Sequence, residues 1–294
     1  MAIRMERMRL DPLPTYTLWL RHMIRFFRMR PMLLSTIAMP FLMFALLVWP
    51  MGESMKQASV FFGMNFLDFF MPGILGITLV MSGMMGGLRV IVDREFGFLK
   101  EILVTPVSRT SIVVGNSLGN ITTGLIQGMV LVLISIPFGV HLRSIGGFWM
   151  AVPLMILTCA SFIGFALSLG SRLQETEGFM SIMMLVQFPI MFLSGAFFPV
   201  DNLKTPVLRQ LMLINPLTYS IDGLRTCLIG PTTVTSRVSI PSIPGLPLPP
   251  GTSIPITGSW NPAFPLWLDF VVPLAYAVVF LILGTYFFSK MEVD

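Results

Sequence analysis

The sequence predicts an all-α membrane protein. It should have six transmembrane helices, an N-terminal amphipathic helix in the membrane interface, and short re-entrant helices on the outer side between spans five and six. Three observations lead there. Hydrophobic residues make up 54% of the chain and charged residues 11%, with a mean hydropathy of +0.82, whereas soluble domains carry roughly 25% charged residues. Apolar runs near the ~20 residues needed to cross a bilayer recur six times. Finally, seven of the 19 Lys and Arg residues are arginines within the first 30 positions, flush against the first apolar run. That bias orients a membrane protein, and it leaves no basic face for nucleic acid despite the net charge of +5.

The first element is expected at 14–30. Arg21, Arg25 and Arg28 share one face with Thr17, while Tyr16, Trp19, Leu20, Met23, Phe26 and Phe27 cover the other. Such a helix lies in the interface, arginines among the lipid phosphates. The basic N-terminal region is too long for a cleavable signal peptide, and no small-residue cleavage site follows Val48.

The spans are placed at 31–50, 67–90, 110–138, 148–170, 179–199 and 265–288. With both termini cytoplasmic, the inner segments hold 13 Lys and Arg residues and the outer ones 6, which fixes the orientation. Asp68, Arg89 and Asp269 fall near span ends, where they are expected to reach water. Within the spans the polar side chains are amides: Asn116, Asn120, Gln127 and Gln187. Gly83 with Gly87, Gly115 with Gly119, and Gly124 with Gly128 put small residues four apart, which lets helix backbones approach closely. The amides are expected to serve that packing; the functional alternative makes them a candidate substrate path.

Between spans two and three, residues 93–109 carry Asp93, Arg94, Glu95, Lys100, Glu101 and Arg109. A run this polar belongs in water. Leu99, Ile102 and Leu103 recur at helical spacing and Pro106 ends the pattern, so a short amphipathic helix just outside the bilayer is expected, suited to a soluble partner. After span five, residues 200–264 form an outer segment. Thr205-Pro206 and Asn215-Pro216 each set a capping residue before a proline and predict two helices too short to span. From Pro231 to Pro265 nine prolines occur among Ser, Thr and Gly, which predicts an extended loop without regular structure.

Cys159 and Cys227 are expected to be isolated thiols, and no metal-ligand spacing occurs. None of the four lysines follows a glycine, so no Walker A phosphate cradle is present, and neither HExxH nor GxSxG occurs. The sequence therefore predicts no catalytic residue, metal or cofactor of its own. Without ionisable groups at mid-span an ion-coupled carrier is disfavoured. Transport would draw its energy from a partner.

The loop residues Asp93, Arg94, Glu95, Gly97, Leu99, Glu101, Leu103, Thr105, Pro106, Ser108 and Arg109 resemble the segment between spans two and three of the ABC-2 type permeases. These are the membrane subunits of ATP-binding-cassette exporters. Ser194-Gly195, Phe198-Pro199, Asn215-Pro216-Leu217-Thr218-Tyr219 and Asp222-Gly223 with Arg225 are similar to the family's stretch after span five. The likeness covers essentially the whole chain and is greatest to drug-resistance permeases of the daunorubicin-exporter type. It implies a cell (plasma or inner) membrane protein that pairs with a second permease copy, as a homodimer or pseudo-dimer, and with two copies of a separate ATPase holding ATP and Mg. The 93–109 residues would couple to that ATPase, with Gly97 permitting the turn and Glu95, Glu101 and Arg109 adding polar contacts. Phe198, Pro199, Asn215, Pro216 and Tyr219 would form an outer gate. A hydrophobic or amphipathic cargo (drug, lipid or glycolipid) would move outward. The alternative is a non-transporting receptor or scaffold that binds its partner through the same loop. Lys204-Thr205 replaces the Leu-Pro common in such permeases, and the proline-rich segment is longer than the family suggests.

Overall fold

The computed structural model describes residues 11–54, 63–95, 108–173, 175–200, 205–239 and 253–290. Helix α1 (Pro12–Arg28) is followed directly by α2 (Arg30–Leu42), a π-helical turn (Met43–Val48) and α3 (Trp49–Ser54). Pro40 lies inside this run; it has no N–H to give the ladder, and the widened π turn begins three residues later. Then come α4 (Phe66–Glu95), α5 (Arg109–Ser135) with a short 3-10 turn (Ile136–Phe138), α6 (Ile145–Gly170) and α7 (Thr176–Phe192). The chain closes with α8 (Pro206–Ile214), α9 (Pro216–Leu228), strands β1 (Thr232–Ser239) and β2 (Ser253–Trp260), and α10 (Leu266–Lys290).

Four of these helices, α4, α5, α6 and α10, are long and apolar enough to cross a membrane. The apolar stretches Ala38–Gly52 and Thr176–Phe192 are shorter. The fifth expected span, 179–199, thus ends as a helix at Phe192, and the left-handed Gly195 (φ +74°) turns the chain before Pro199.

Helices α4 and α6 form the centre. Burial covers 78% of the apolar window of α4 and 67% of that of α6, against 33% for α5 and 17% for α10. Glycine makes the central contact tight. A Cβ on Gly87 would lie 2.4 Å from the Ala166 backbone, and one on Gly83 would lie 2.9 Å from the Cys159 carbonyl oxygen. Close backbone approach of this kind, rather than the hydrophobic effect, holds helices together in lipid. Helix α10 packs along α6, α5 along α4, and α1 along α5. Gly115 and Gly119 of α5 receive Leu18 and His22 of α1, and the Trp19 indole donates to Thr122 Oγ1 at 3.0 Å.

The chain from Pro231 to Pro265 departs from expectation. Instead of an irregular loop, β1 and β2 pair antiparallel, Thr232 opposite Trp260 through Ser239 opposite Ser253. Proline blocks a ladder only where its missing N–H is needed. The paired stretches contain a single proline, Pro255, and are otherwise rich in Thr, Ser, Val and Ile, so β-branched residues prevail locally over the composition of the whole segment.

Candidate functional site

The two ends of the bundle differ in chemistry. At one end, α4 closes with Asp93, Arg94 and Glu95, and α5 opens with Arg109 after Ser108. The Ser108 hydroxyl caps α5 by accepting from the Ser111 N–H at 3.2 Å, while the Asp11 N–H donates to Ser111 Oγ at 2.8 Å. The start of α1 is therefore pinned beside the start of α5. The expected coupling residues Gly97, Leu99, Glu101, Leu103, Thr105 and Pro106 lie outside the described residues. Arg21, Arg25 and Arg28 line a shallow groove on α1.

At the opposite end, α8, α9, the hairpin and the turn after α7 form a cap held by buried polar groups. The final carbonyls of a helix have no partner within it. Here Asn215 supplies one: its Nδ2 donates to Ile190 and Leu193 oxygens of α7 at 2.7 and 2.9 Å. Its Oδ1 accepts from the Leu217 N–H at 3.0 Å, so the same side chain caps the start of α9. Thr218 Oγ1 donates to the Met212 oxygen at 2.7 Å, and the Tyr219 hydroxyl donates to the Leu213 oxygen at 3.0 Å. Tyr219 also packs on Phe264 with ring centroids 4.5 Å apart. Of the expected gate residues, Asn215, Pro216 and Tyr219 thus meet in one joint, while Phe198 projects from the preceding turn and is exposed.

Arg225 is the centre of this cap. It is buried, yet Nη2 donates to the Phe69 oxygen at 3.0 Å and to the Gly195 oxygen at 3.2 Å. Its guanidinium lies 4.0 Å from the Phe69 ring centroid and 5.8 Å from that of Trp260. One side chain thereby joins α4, the turn after α7, α9 and the root of the hairpin. Burial pulls the guanidinium down to about 10, with Asp222 opposing, so Arg225 remains charged at neutral pH. Asp222 Oδ2 accepts from the Phe264 N–H at 3.1 Å.

Two carboxyl groups expected to reach water are buried instead. Asp68 receives the His141 N–H at 2.9 Å and Asn65 Nδ2 at 3.2 Å, which ties the loop after α5 to the first turn of α4. Asp269, in the first turn of α10, packs against Gly223, and neither carboxyl oxygen has a hydrogen-bond partner. Position near a span end predicts water only when nothing covers that end; here the loop after α5 covers Asp68 and the cap covers Asp269. The family likeness includes Arg225, but its burial has no signal in the sequence: it is one arginine in a broken apolar segment.

Asn120 is buried at the α4–α5 contact, where its backbone oxygen accepts from Ser82 Oγ at 3.3 Å and its Nδ2 donates to the Asn116 oxygen at 3.2 Å. Asn116 and Gln127 are half-buried on α5, and Gln187 is half-buried on α7, with Nε2 3.5 Å from Met191 Sδ. Among the described residues, no group of three or more His, Cys, Asp or Glu side chains could hold a metal ion. Cys159 and Cys227 are free thiols, both buried.

A helical bundle centred on glycine contacts, with four helices long and apolar enough to cross a membrane, is the architecture of an all-α membrane protein. Residues 14–229 match the family described as ABC-2 type transporter, which covers α1 through the end of the cap helices, and the chain belongs to that family. It is 30% identical over 162 residues to the ycf38 transport permease of Cyanophora paradoxa (55% of this chain, 56% of the relative). It is 26% identical over 173 residues to the inner membrane transport permease YadH of Escherichia coli K12 (57% and 65%). Nodulation protein J of Rhizobium leguminosarum bv. viciae is 27% identical over 132 residues (45% and 49%). The matches therefore span about half to two thirds of the length of these relatives.

Proposed function

We propose that this chain is the permease subunit of an ABC-2 type exporter. It moves a hydrophobic or amphipathic molecule, such as a drug, lipid or glycolipid, outward across the cell membrane. The observation that carries the reading is the family match over residues 14–229, which contains the 93–109 loop and the cap helices α8 and α9. Six crossings, with 30–54 and 176–192 completing the four long helices, leave both termini in the cytoplasm. Two copies of the permease pair with two copies of a separate ATPase, whose bound ATP and Mg supply the energy. Residues 93–109 receive the ATPase stroke, and α1 lies in the interface beside them. The Asn215–Tyr219 joint and Phe198-Pro199 act as the outer gate. Asn116, Asn120, Gln127 and Gln187 flank the helices between which cargo passes.

The test is to express the chain with its candidate ATPase, reconstitute both in lipid, and measure hydrolysis and export. A stable complex whose hydrolysis responds to the permease, and loses that response in Glu101→Arg, is expected. Glu101→Arg protein that folds and still supports partner-stimulated transport would remove the loop from the coupling role. Failure to bind any cassette ATPase would overturn the exporter reading.

A further inference from the structure

We propose that the outward face of α1 holds an anionic phospholipid at a discrete site. This rests on the interfacial placement of α1 given above. Helix α1 turns Thr15, His22, Met23 and Phe26 into the bundle and leaves Leu20, Ile24 and Met29 exposed. Together with Thr17 and the apolar stems of Arg21, Arg25 and Arg28 they line a shallow, open groove of about 600 Å³. The arginines fall at i, i+4 and i+7, so their stems span roughly 10 Å along the axis.

Helix α1 contains no acidic residue, and among the described residues no carboxylate pairs with any of these three arginines. Among the described residues the groove thus joins unpaired positive charge to an open apolar surface. A ligand that satisfies both parts needs an anionic head and a hydrocarbon tail. A free phosphate would leave Leu20 and Ile24 uncovered, and a zwitterionic lipid would offset the guanidinium attraction with its own ammonium. An acyl chain along Leu20 and Ile24 with its phosphate against the arginine fork meets each demand.

The site is tested on the purified chain without an ATPase, so that loss of the exporter reading and loss of the lipid site are separate results. Delipidated protein in detergent is offered phosphatidylglycerol and phosphatidylcholine at equal concentration, and retained lipid is counted by native mass spectrometry. One phosphatidylglycerol per chain is expected, with a preference of about fivefold for each arginine engaged. The triple substitution Arg21→Gln, Arg25→Gln, Arg28→Gln should bring the two lipids level. Ile24→Trp, which fills the groove and keeps the charges, should lower retention of both. Unfolding temperature confirms that each variant is folded; if the triple variant unfolds, Ile24→Trp alone decides. Equal retention of the two lipids by the unaltered chain, or a preference that survives the triple substitution, would overturn the proposal. So would displacement of the lipid by millimolar inorganic phosphate alone.

Discussion

Replacing Arg225 should unlock the cap. In Arg225→Ala the Phe69 and Gly195 oxygens lose their shared donor, and the Phe69 ring loses a cation 4.0 Å from its centroid. A buried carbonyl left without a donor costs ~1–3 kcal/mol, which applies to the Gly195 oxygen, whereas the Phe69 oxygen lies within α4 and keeps its place in the helical ladder. A desolvated cation–π contact contributes up to ~2 kcal/mol. Against these stands the desolvation of a buried guanidinium whose Nε has no partner, which the substitution removes. The balance is a loss of about 2–4 kcal/mol. For a chain of this size that lowers Tm by at least roughly 4 °C. Arg225→Met keeps the stem packing and loses the hydrogen bonds, so it should fall between the two. Arg225→Lys should resemble Met more than Arg, because an ammonium lacks the planar fork that stacks on a ring while bridging two carbonyls. Thermal unfolding in detergent, followed by tryptophan emission, reads the change directly, since Trp260 lies beside the guanidinium. A cycle with Phe69→Leu isolates the ring contact, with an expected coupling of about 1–2 kcal/mol. An Arg225→Ala protein within about 2 °C of the unaltered chain would refute the argument that this residue ties the cap together.

Three further outcomes follow from the same contacts. Asn215→Ala should cost about 2–4 kcal/mol, because it strips two donated bonds from α7 and one accepted bond from α9; unfolding temperature checks it. Gly87→Val should abolish a monodisperse folded species by size exclusion, since even a Cβ meets the Ala166 backbone at 2.4 Å, whereas Gly178→Ala, with nothing within 4 Å of its Cβ, should be neutral or raise stability by about 0.5 kcal/mol. Asp269→Asn should leave Tm unchanged or raise it, because the carboxyl has no donor to lose, whereas Asp222→Asn should lower it by weakening the bond to the Phe264 N–H and removing the charge facing Arg225.

The long apolar runs made the main helices legible in the sequence. Proline placement did the same for α8 and α9: Thr205-Pro206 and Asn215-Pro216 mark the starts that are found. The glycine pairs were legible too, since spacing of four puts both on one helix face. What could not be read was long-range. Arg225 meets Phe69 across 156 positions and His141 meets Asp68 across 73; no local period records such contacts. The hairpin was hidden because composition was averaged over a whole proline-rich segment, while pairing depends on the two eight-residue stretches that form the ladder. Residues 96–107, which the sequence makes the partner-facing loop, lie outside the described residues, so that assignment rests on pattern and family.

Helix α4 supplies the physical link between the two ends. It is a single helix of 30 residues from Phe66 to Glu95, ~45 Å long, with Pro72 in its second turn as the one place where the ladder lacks an N–H. One end reaches the 93–109 segment, and at the other the Phe69 oxygen is held by Arg225. Between them, Gly83 and Gly87 lock it against α6, and Gly76 meets Ile221 of the cap. A tightly packed glycine seam resists bending but leaves two rigid helices able to pivot or slide together, because interiors packed this closely move as bodies rather than deform. In the proposed cycle, an ATPase stroke at Glu95 would therefore arrive at Phe69 as a displacement of the whole helix. There the contacts at risk are the two carbonyl bonds and the ring stack of Arg225, which makes this arginine the place where the stroke would open the cap. Arg225→Met should then loosen that link: partner-stimulated hydrolysis would persist while export per ATP falls. An unchanged ratio of export to hydrolysis in a folded Arg225→Met protein would place the link elsewhere.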